Sequence, residues 1–512
     1  MWNITSSIVN LLSSLSEAQE EIVAAITKLS TITNFLFGLL SLESPDEVQN
    51  EALSCLAALT EDNEILVKQI AEHAWLNKLL ELKDARELKA VAACGVLHNV
   101  FATMKWYDHN TPMQGVTDAI LIPILVGAME GSHGSHVMET NGANGSHSNP
   151  DQILQLALDI TASIATSLQE AIEHGSKNEK EFEGFDMDDK DDEMNDLVDG
   201  SNVGDVSEEN EEMDEDEIDA DMDVVLGEDA EDGGIPDDQV TLETLVRTAA
   251  PVVLTIAGST RESGPIQSAA LSALNNIAWT LSSIDFSTGN LNSLQKFWTS
   301  FSQRMWNEVV TPVLSLNTAD VELASSVTSI AWAVARSVQG EIKIQPEEQR
   351  KFMSLYHASK NLGGTNGGAQ TNGHRKTDDD DDAFQSLGVK CIGVLGRLGL
   401  NPAPVSLNRE IGLFLLTTLS TLPDTPAAEV IEALDSIFDI YADKSYGFDE
   451  AVFWGDGLYT HLEEILPKSK QMAKKIDKRK FPELRVRADE AVLNLGRFLK
   501  YKKTERDSKD GK

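Results

Sequence analysis

Apolar residues recur along this chain at three- and four-residue spacing, from near its start to its last thirty residues. No segment alternates apolar and polar positions as a half-buried strand would, and no Asn-Gly turn joins two apolar runs. The pattern predicts helix over residues 20–42. It then predicts a restart in which Ser44 is the N-cap, Pro45 the first turn and Glu47 the returning half of a capping box. The helix that follows is apolar at Leu53, Leu56, Ala57 and Leu59, and a similar segment, 90–101, recurs 39 residues later when Cys55 is aligned with Cys94. Segments 153–168, 267–281, 325–338, 387–400, 427–441 and 488–499 read as the same long buried helix.

The spacing carries the fold expectation. Ile330 and Ile392 lie 62 residues apart, which becomes 39 without the 23-residue stretch 361–383, and Leu395 and Ile437 lie 42 apart. Periods of about 40–47 residues built from two or three helices belong to armadillo and HEAT repeats. Each such repeat cannot bury its apolar face alone, so neighbours stack into a superhelix with a long concave surface. The expected fold is therefore an all-α armadillo/HEAT solenoid, against the alternative of an irregular helical bundle. Residues 1–130 form N-terminal armadillo-like repeats, 131–150 a flexible loop rich in Gly, Ser, Asn and His, and 151–175 a further armadillo-like helix. Residues 176–240 form a disordered acidic loop, 241–360 HEAT-like repeats and 361–384 a second flexible loop carrying Asp378 to Asp382. Residues 385–503 form C-terminal HEAT-like repeats and 504–512 a tail.

Charge changes the picture at one place. Residues 179–238 hold 29 Asp and Glu against Lys180 and Lys190, well over half of the whole chain's net −43. Such a segment repels itself and buries too little apolar surface to offset its ordering entropy. Yet it is not uniform. Phe182, Phe185 and Met187 mark its start, and Ile218, Met222, Val225 and Leu226 fall at helical spacing near its end. These residues predict a segment that folds on a basic partner, for example over the RNA-binding face of an RNA-binding protein. An acidic chain disfavours direct nucleic-acid binding.

The remaining composition excludes more than it suggests. The three cysteines, Cys55, Cys94 and Cys391, sit in apolar helical stretches and predict free thiols in a reducing compartment. No uninterrupted run of about 18 apolar residues predicts a membrane span, and the first 15 residues lack the marks of a secretory signal. There is no phosphate-binding Gly-rich loop with Lys, no His-Glu-x-x-His and no Cys-x-x-Cys. His133, His136 and His147 have no ligand spacing. A calcium-loop-like start at Asp219 fails at Val224 and Ala230. We expect no enzyme, metal or cofactor, and a monomer.

Three surfaces remain as candidates. In segment 271–281, Leu271, Leu274, Ala278 and Leu281 form the core stripe, leaving Asn275, Asn276 and Trp279 off it. Trp332 occupies the matching position in the next repeat, and Asn99 is a further candidate rung. Asn amides can bond a peptide backbone while Trp faces hold Lys and Arg stems; core filling is the alternative for both tryptophans. Thr425 and Pro426 open a helix as N-cap and first residue, and along it Glu432, Asp435, Asp439 and Asp443 share one face. That face is either a receiver for basic peptide or a solvated outer surface. Lys474, Lys475, Lys478, Arg479 and Lys480 form a basic cluster that reads as a localisation signal or a charged helix end.

Residues 271–281 (LSALNNIAWTL), 329–335 (SIAWAVA), 391–400 (CIGVLGRLGL) and above all 430–447 (VIEALDSIFDIYADKSYG) with the tail 475–503 resemble the symportin family of nuclear import adaptors. The resemblance implies a chaperone that shuttles between nucleus and cytoplasm and couples import of two basic ribosomal proteins of the 5S ribonucleoprotein particle. One client would be gripped by a peptide in the groove, the other covered by the acidic loop. It also implies a transportin-type karyopherin, recruited by a basic N-terminal signal ending in Pro-Tyr. This chain holds no Pro-Tyr dipeptide and opens at Met1-Trp2 within a helical pattern. The expectation is that the family's N-terminal segment lies outside it, with the C-terminal basic cluster as the alternative signal. A histone-type acidic chaperone and a HEAT-repeat scaffold subunit are the competing functions.

Overall fold

A computed structural model describes residues 2–16, 20–41, 44–72, 74–85, 87–135, 149–177, 239–259, 264–286, 291–315, 320–363 and 383–510. The acidic-segment residues singled out above, Phe182 to Leu226, lie outside these, as do His136, His147 and Asp378 to Asp382. Among the described residues the regular structure is helical throughout.

Nine helices form a ladder: α1 (Trp2–Ser16), α2 (Asp46–Thr60), α3 (Glu87–Met104), α4 (Pro150–Lys177), α5 (Gly264–Ser282), α6 (Val321–Ser337), α7 (Leu387–Leu398), α8 (Ala427–Ile440) and α9 (Pro482–Asp510). Each packs on the one before and the one after. Helices on one side back the ladder: Ser30–Ser41 behind α2, Ile122–Ser135 behind α4, Ala250–Ala257 behind α5, Glu348–Gly363 behind α7, Val405–Ser420 behind α8 and Leu458–Lys475 behind α9. The rungs are the long buried helices that periodicity predicts. The inner rungs carry broad apolar surfaces because each must contact two neighbours, whereas α1 has one neighbouring rung and leaves Ile4, Ile8 and Leu11 exposed. The result is one contiguous apolar core running from Val9 to Leu499. The three cysteines are buried within it and form no disulfide, and burial pushes the Cys94 thiol up to about 12.

Several local expectations need correction. Segment 20–42 is two helices, Glu20–Thr27 and Ser30–Ser41, parted at Leu29, which turns outward, before a Ser-Thr start that favours a new N-terminus. Ser44 does not cap α2. Its hydroxyl donates back to the Leu39 carbonyl at 2.6 Å, and Pro45 occupies the N-cap position without a side-chain bond. Thr425 behaves alike, donating to the Thr418 carbonyl at 2.8 Å while Pro426 is the N-cap of α8. In both cases the hydroxyl closes the preceding helix, whose orphan carbonyls it satisfies. The segment read as a loop from residue 131 begins in helix, since Ile122–Ser135 carries His133 in its last turn. Asp443 lies past the end of α8 and accepts the Ser445 N–H at 2.7 Å, so it leaves the carboxylate row. Finally, Val240–Ala257 is 18 residues of mean hydropathy 1.4, long and apolar enough to span a membrane, but 56% of it is buried inside the protein. Its Glu243 and Arg247 pair at 2.6 Å.

Two details set the geometry of the later rungs. A methyl group on Gly393 of α7 would fall inside the Trp332 ring, and one on Gly396 would meet the Ser436 hydroxyl of α8. Glycine therefore lets α6 and α8 close on α7 from both sides. At the C-terminal end, Lys502 of α9 is fully buried and its Nζ lies 2.6 Å from Asp449 Oδ1 and 3.4 Å from Glu505 Oε2. This pair ties the last rung to the π-helical turn Asp449–Trp454.

Candidate functional site

The sequence-derived groove residues fall into two kinds. Toward the N-terminus their polar atoms are used between rungs. Asn99 of α3 donates to the Ala57 carbonyl at 2.9 Å and to Thr60 Oγ1 at 3.1 Å, both on α2. Asn276 of α5 donates to the Ala162 carbonyl at 3.3 Å and to Thr166 Oγ1 at 3.0 Å, both on α4. The Thr280 hydroxyl adds a bond to the Ala165 carbonyl at 2.8 Å. Asn275 donates to the Asn276 side-chain oxygen at 3.3 Å, and its own Oδ1 is buried without a hydrogen-bond partner. The Asn99 and Asn276 amide donors are thus fasteners between repeats, whereas the Asn275 carbonyl is unspent.

Sequence reasoning missed a further fastener. His98 of α3, 2% exposed, sits between Asp118 Oδ1 at 3.0 Å from Nδ1 and Ser163 Oγ of α4 at 2.9 Å from Nε2. The Asp118 carboxylate takes the Nδ1–H, which leaves Nε2 to accept from the serine hydroxyl. This is the connectivity of a Ser-His-Asp triad. Ser163, however, lies mid-helix, where neighbouring N–H groups are spent in the helix's own ladder and none is left to form an oxyanion hole. Its partners lie 65 and 20 residues apart in sequence with no motif to announce them.

Tryptophan dominates the middle of the ladder. Trp279 of α5 and Trp332 of α6 meet edge to face, ring centroids 5.3 Å apart, and both are half-buried against the core rather than sealed in it. The Arg336 guanidinium stands 5.7 Å from the Trp279 centroid, a cation on an indole face. Trp332 Nε1 is buried and has no hydrogen-bond partner.

On α8 the carboxylate row runs from a buried Glu432 through a half-buried Asp435 to an exposed Asp439. Asp439 pairs with Arg397 of α7 at 3.0 Å. Glu432 is 8% exposed and Asp435 half-buried. Burial first, then the neighbouring Asp435, raises the Glu432 carboxyl to about 7, and burial with Asp439 raises Asp435 to about 6.

Two other regions are placed by the structure. Lys474, Lys475, Lys478, Arg479 and Lys480 are all exposed, the first two in the last turn of Leu458–Lys475 and the rest in the turn after it. A cavity of about 320 Å³ opens where α4 ends and the chain returns at Gln239, lined by Trp106, Tyr107, Leu168, Gln239 and Ile284 among others. Asp108 fastens that return, accepting the Thr241 N–H at 2.8 Å and the Thr241 hydroxyl at 2.7 Å. Among the described residues, no group of three or more His, Cys, Asp and Glu side chains is placed to hold a metal.

Residues 376–506 match the protein family described as "SYO1-like, TPR repeats". Symportin 1 of Chaetomium thermophilum is 41% identical over 532 residues, an alignment covering 98% of this chain and 77% of that protein. The "Armadillo repeat protein involved in nucleocytoplasmic transport Syo2" of Schizosaccharomyces pombe is 29% identical over 237 residues, 46% of this chain and 32% of its own. "Synchronized import protein 1" of Saccharomyces cerevisiae is 36% identical over 120 residues, 23% of this chain and 19% of its own.

Proposed function

The chain belongs to the symportin family, and from that premise we propose that it is a non-enzymatic transport adaptor that grips a basic client peptide along the open face of its ladder. The observation that supports this reading is the half-buried Trp279–Trp332 pair on α5 and α6, with the acidic residues Glu432 and Asp435 on α8. Aromatic walls take the stems of Lys and Arg, and carboxylates take their heads. Two relatives are named for nucleocytoplasmic transport or synchronized import, which supports the adaptor role.

The finer reading is that the clients are two large-subunit ribosomal proteins that assemble with 5S ribosomal RNA, one held on the open face and the other by the acidic segment 179–238. A transportin-type karyopherin would carry the complex between cytoplasm and nucleus, with Lys474 to Lys480 as a second route. Affinity purification of the full chain and of a variant lacking residues 179–238, followed by mass spectrometry, tests it. The full chain should recover two 5S-associated ribosomal proteins, and the deletion should lose one and keep the other. Recovery of histones without those proteins would overturn the client assignment in favour of a histone chaperone. For the face itself, Trp279→Ala and Trp332→Ala should each weaken peptide affinity by about 2 kcal/mol. A fall in thermal stability with unchanged affinity would instead make both tryptophans core residues.

A further inference from the structure

A second place in the ladder combines apolar walls, an acidic lining and an acceptor without a donor. It is the cavity of about 320 Å³ between the end of α3, the second half of α4 and the chain that leaves α5. Its walls are Trp106 and Tyr107 after α3, Leu168 and Ile172 of α4, and Ile284 just past α5. Gln239 closes one side, and its Oε1 is buried without a hydrogen-bond partner. A buried acceptor without a donor costs stability, and a ligand that donates to it recovers the loss.

The charge around the cavity has one sign. Asp108, Asp118 and Asp285 line it, and no lysine or arginine does; His109 is the basic side chain of the lining. Asp108 is fixed by the Thr117 and Thr241 hydroxyls and the Thr241 N–H, and Asp118 by His98. Hydroxyl and amide donors orient Asp108 without cancelling its charge. Tyr107 registers the field: burial first, then Glu170 and Asp118, hold its hydroxyl above the ordinary value. A cleft lined by one sign of charge concentrates the opposite one.

The occupant that fits is cationic, carries N–H donors and has a body that packs on apolar and aromatic walls. An arginine side chain has all three properties, because its planar guanidinium is weakly hydrated, stacks on aromatic rings and presents several donors in a fixed fork. A lysine ammonium is more strongly hydrated and loses more on entering such walls. Phe182 and Phe185 of this chain lie only ten and thirteen residues beyond Ile172. They offer no donor, and their segment carries 29 Asp and Glu that the three aspartates repel. We propose that this cavity receives one arginine side chain of a basic partner, which donates to Gln239 Oε1. The site goes beyond peptide gripping by Trp279 and Trp332 and rests on the reading of the clients as basic. It gives such a partner a fixed point beside Gln239, where the chain resumes after residues 178–238.

The test is disulfide capture at the cavity. Cys55, Cys94 and Cys391 are fully buried, so a single introduced cysteine is the reactive one. Ser167→Cys places it in the lining, and Thr417→Cys, exposed on the helix Val405–Ser420, is the remote control. The full chain of each is equilibrated under mild reductant with end-blocked Cys-Gly-Xaa disulfide probes, Xaa being arginine, lysine, citrulline or phenylalanine, and the mixed disulfide is read by intact mass. At Ser167→Cys the arginine probe should be captured about tenfold more than the citrulline or phenylalanine probe and about threefold more than the lysine probe. At Thr417→Cys arginine and lysine should be captured alike. Adding Gln239→Leu to Ser167→Cys should cut the arginine preference about threefold. Equal capture of arginine and lysine at both cysteines is attraction by an acidic chain at large and overturns the site. Citrulline captured as well as arginine makes the site uncharged and overturns it too. A preference for phenylalanine overturns it in favour of an apolar occupant such as Phe182 or Phe185, and an arginine preference unchanged by Gln239→Leu removes the donor contact on which it stands. None of these results touches Trp279 and Trp332, whose variants are read by peptide affinity, so the cavity and the groove fail separately.

Discussion

The two halves of the ladder close their seams by different means. From α2 to α5, Asn99, His98, Asn276 and Thr280 spend their polar atoms across the seam to the next rung, and the seam is closed by them. From α6 to α8 the helices close on one another through the absence of side chains at Gly393 and Gly396, the seams carry the charged contacts Lys390–Ser325 and Arg397–Asp439, and Trp332 Nε1 is left without a partner. A satisfied buried group contributes to stability, whereas an unsatisfied one costs it. The first half is therefore fastened by neutral hydrogen bonds and the second by close helix approach and charged side chains.

That contrast can be broken by removing groups of each kind. The largest loss should follow Lys502→Ala, which strands the buried Asp449 carboxylate; urea unfolding should show about 3–5 kcal/mol less stability. A near-normal unfolding midpoint would mean that the last rung is held by apolar packing alone. Next, His98→Ala should cost about 2–3 kcal/mol by leaving Asp118 and the α3–α4 seam unbonded, with client-peptide affinity unchanged under conditions where the protein stays folded. A specific loss of peptide affinity would place His98 in the site and erase the distinction between halves.

The smallest effect has the opposite sign. Because the folded-state value of Glu432 lies above its ordinary one, the native chain binds more protons than the unfolded chain, and stability falls as pH rises from about 4.5 to about 7. Glu432→Gln removes that loss. The variant should be more stable than the wild type by about 1–2 kcal/mol at pH 8, with the difference vanishing near pH 4. A variant less stable at pH 8 would show that Glu432 has a structural partner.

Much of the ladder was legible from residue order. The segments around Leu271–Leu281 and Ile330 announce themselves because a rung helix touching three neighbours must be apolar at nearly every turn. The helix starts were less legible. Ser44-Pro45 and Thr425-Pro426 look like a cap followed by a first residue, but the proline stands at the cap and the hydroxyl serves the helix before it. Among the candidate site residues, the tryptophan pair is legible by aligning repeats and the α8 carboxylates by their three- and four-residue spacing. The roles of Asn99 and Asn276 were not, because the carbonyls they reach lie 42 and 114 residues away. The His98 relay had no signal at all, being assembled from three elements.

What residue order determined is the repeat, the helical class and the concentration of negative charge in 179–238, since periodicity and charge density are properties of short stretches. Only the tertiary structure decided which polar side chains are fasteners and which are open, because a hydrogen bond between rungs needs a partner at least one repeat distant. Asn276 and Glu432 are alike in sequence, polar residues at the margin of an apolar helix. The first bonds the neighbouring rung directly, whereas the second forms no hydrogen bond to a described residue and faces Arg397, Arg487 and Arg336 through charge alone.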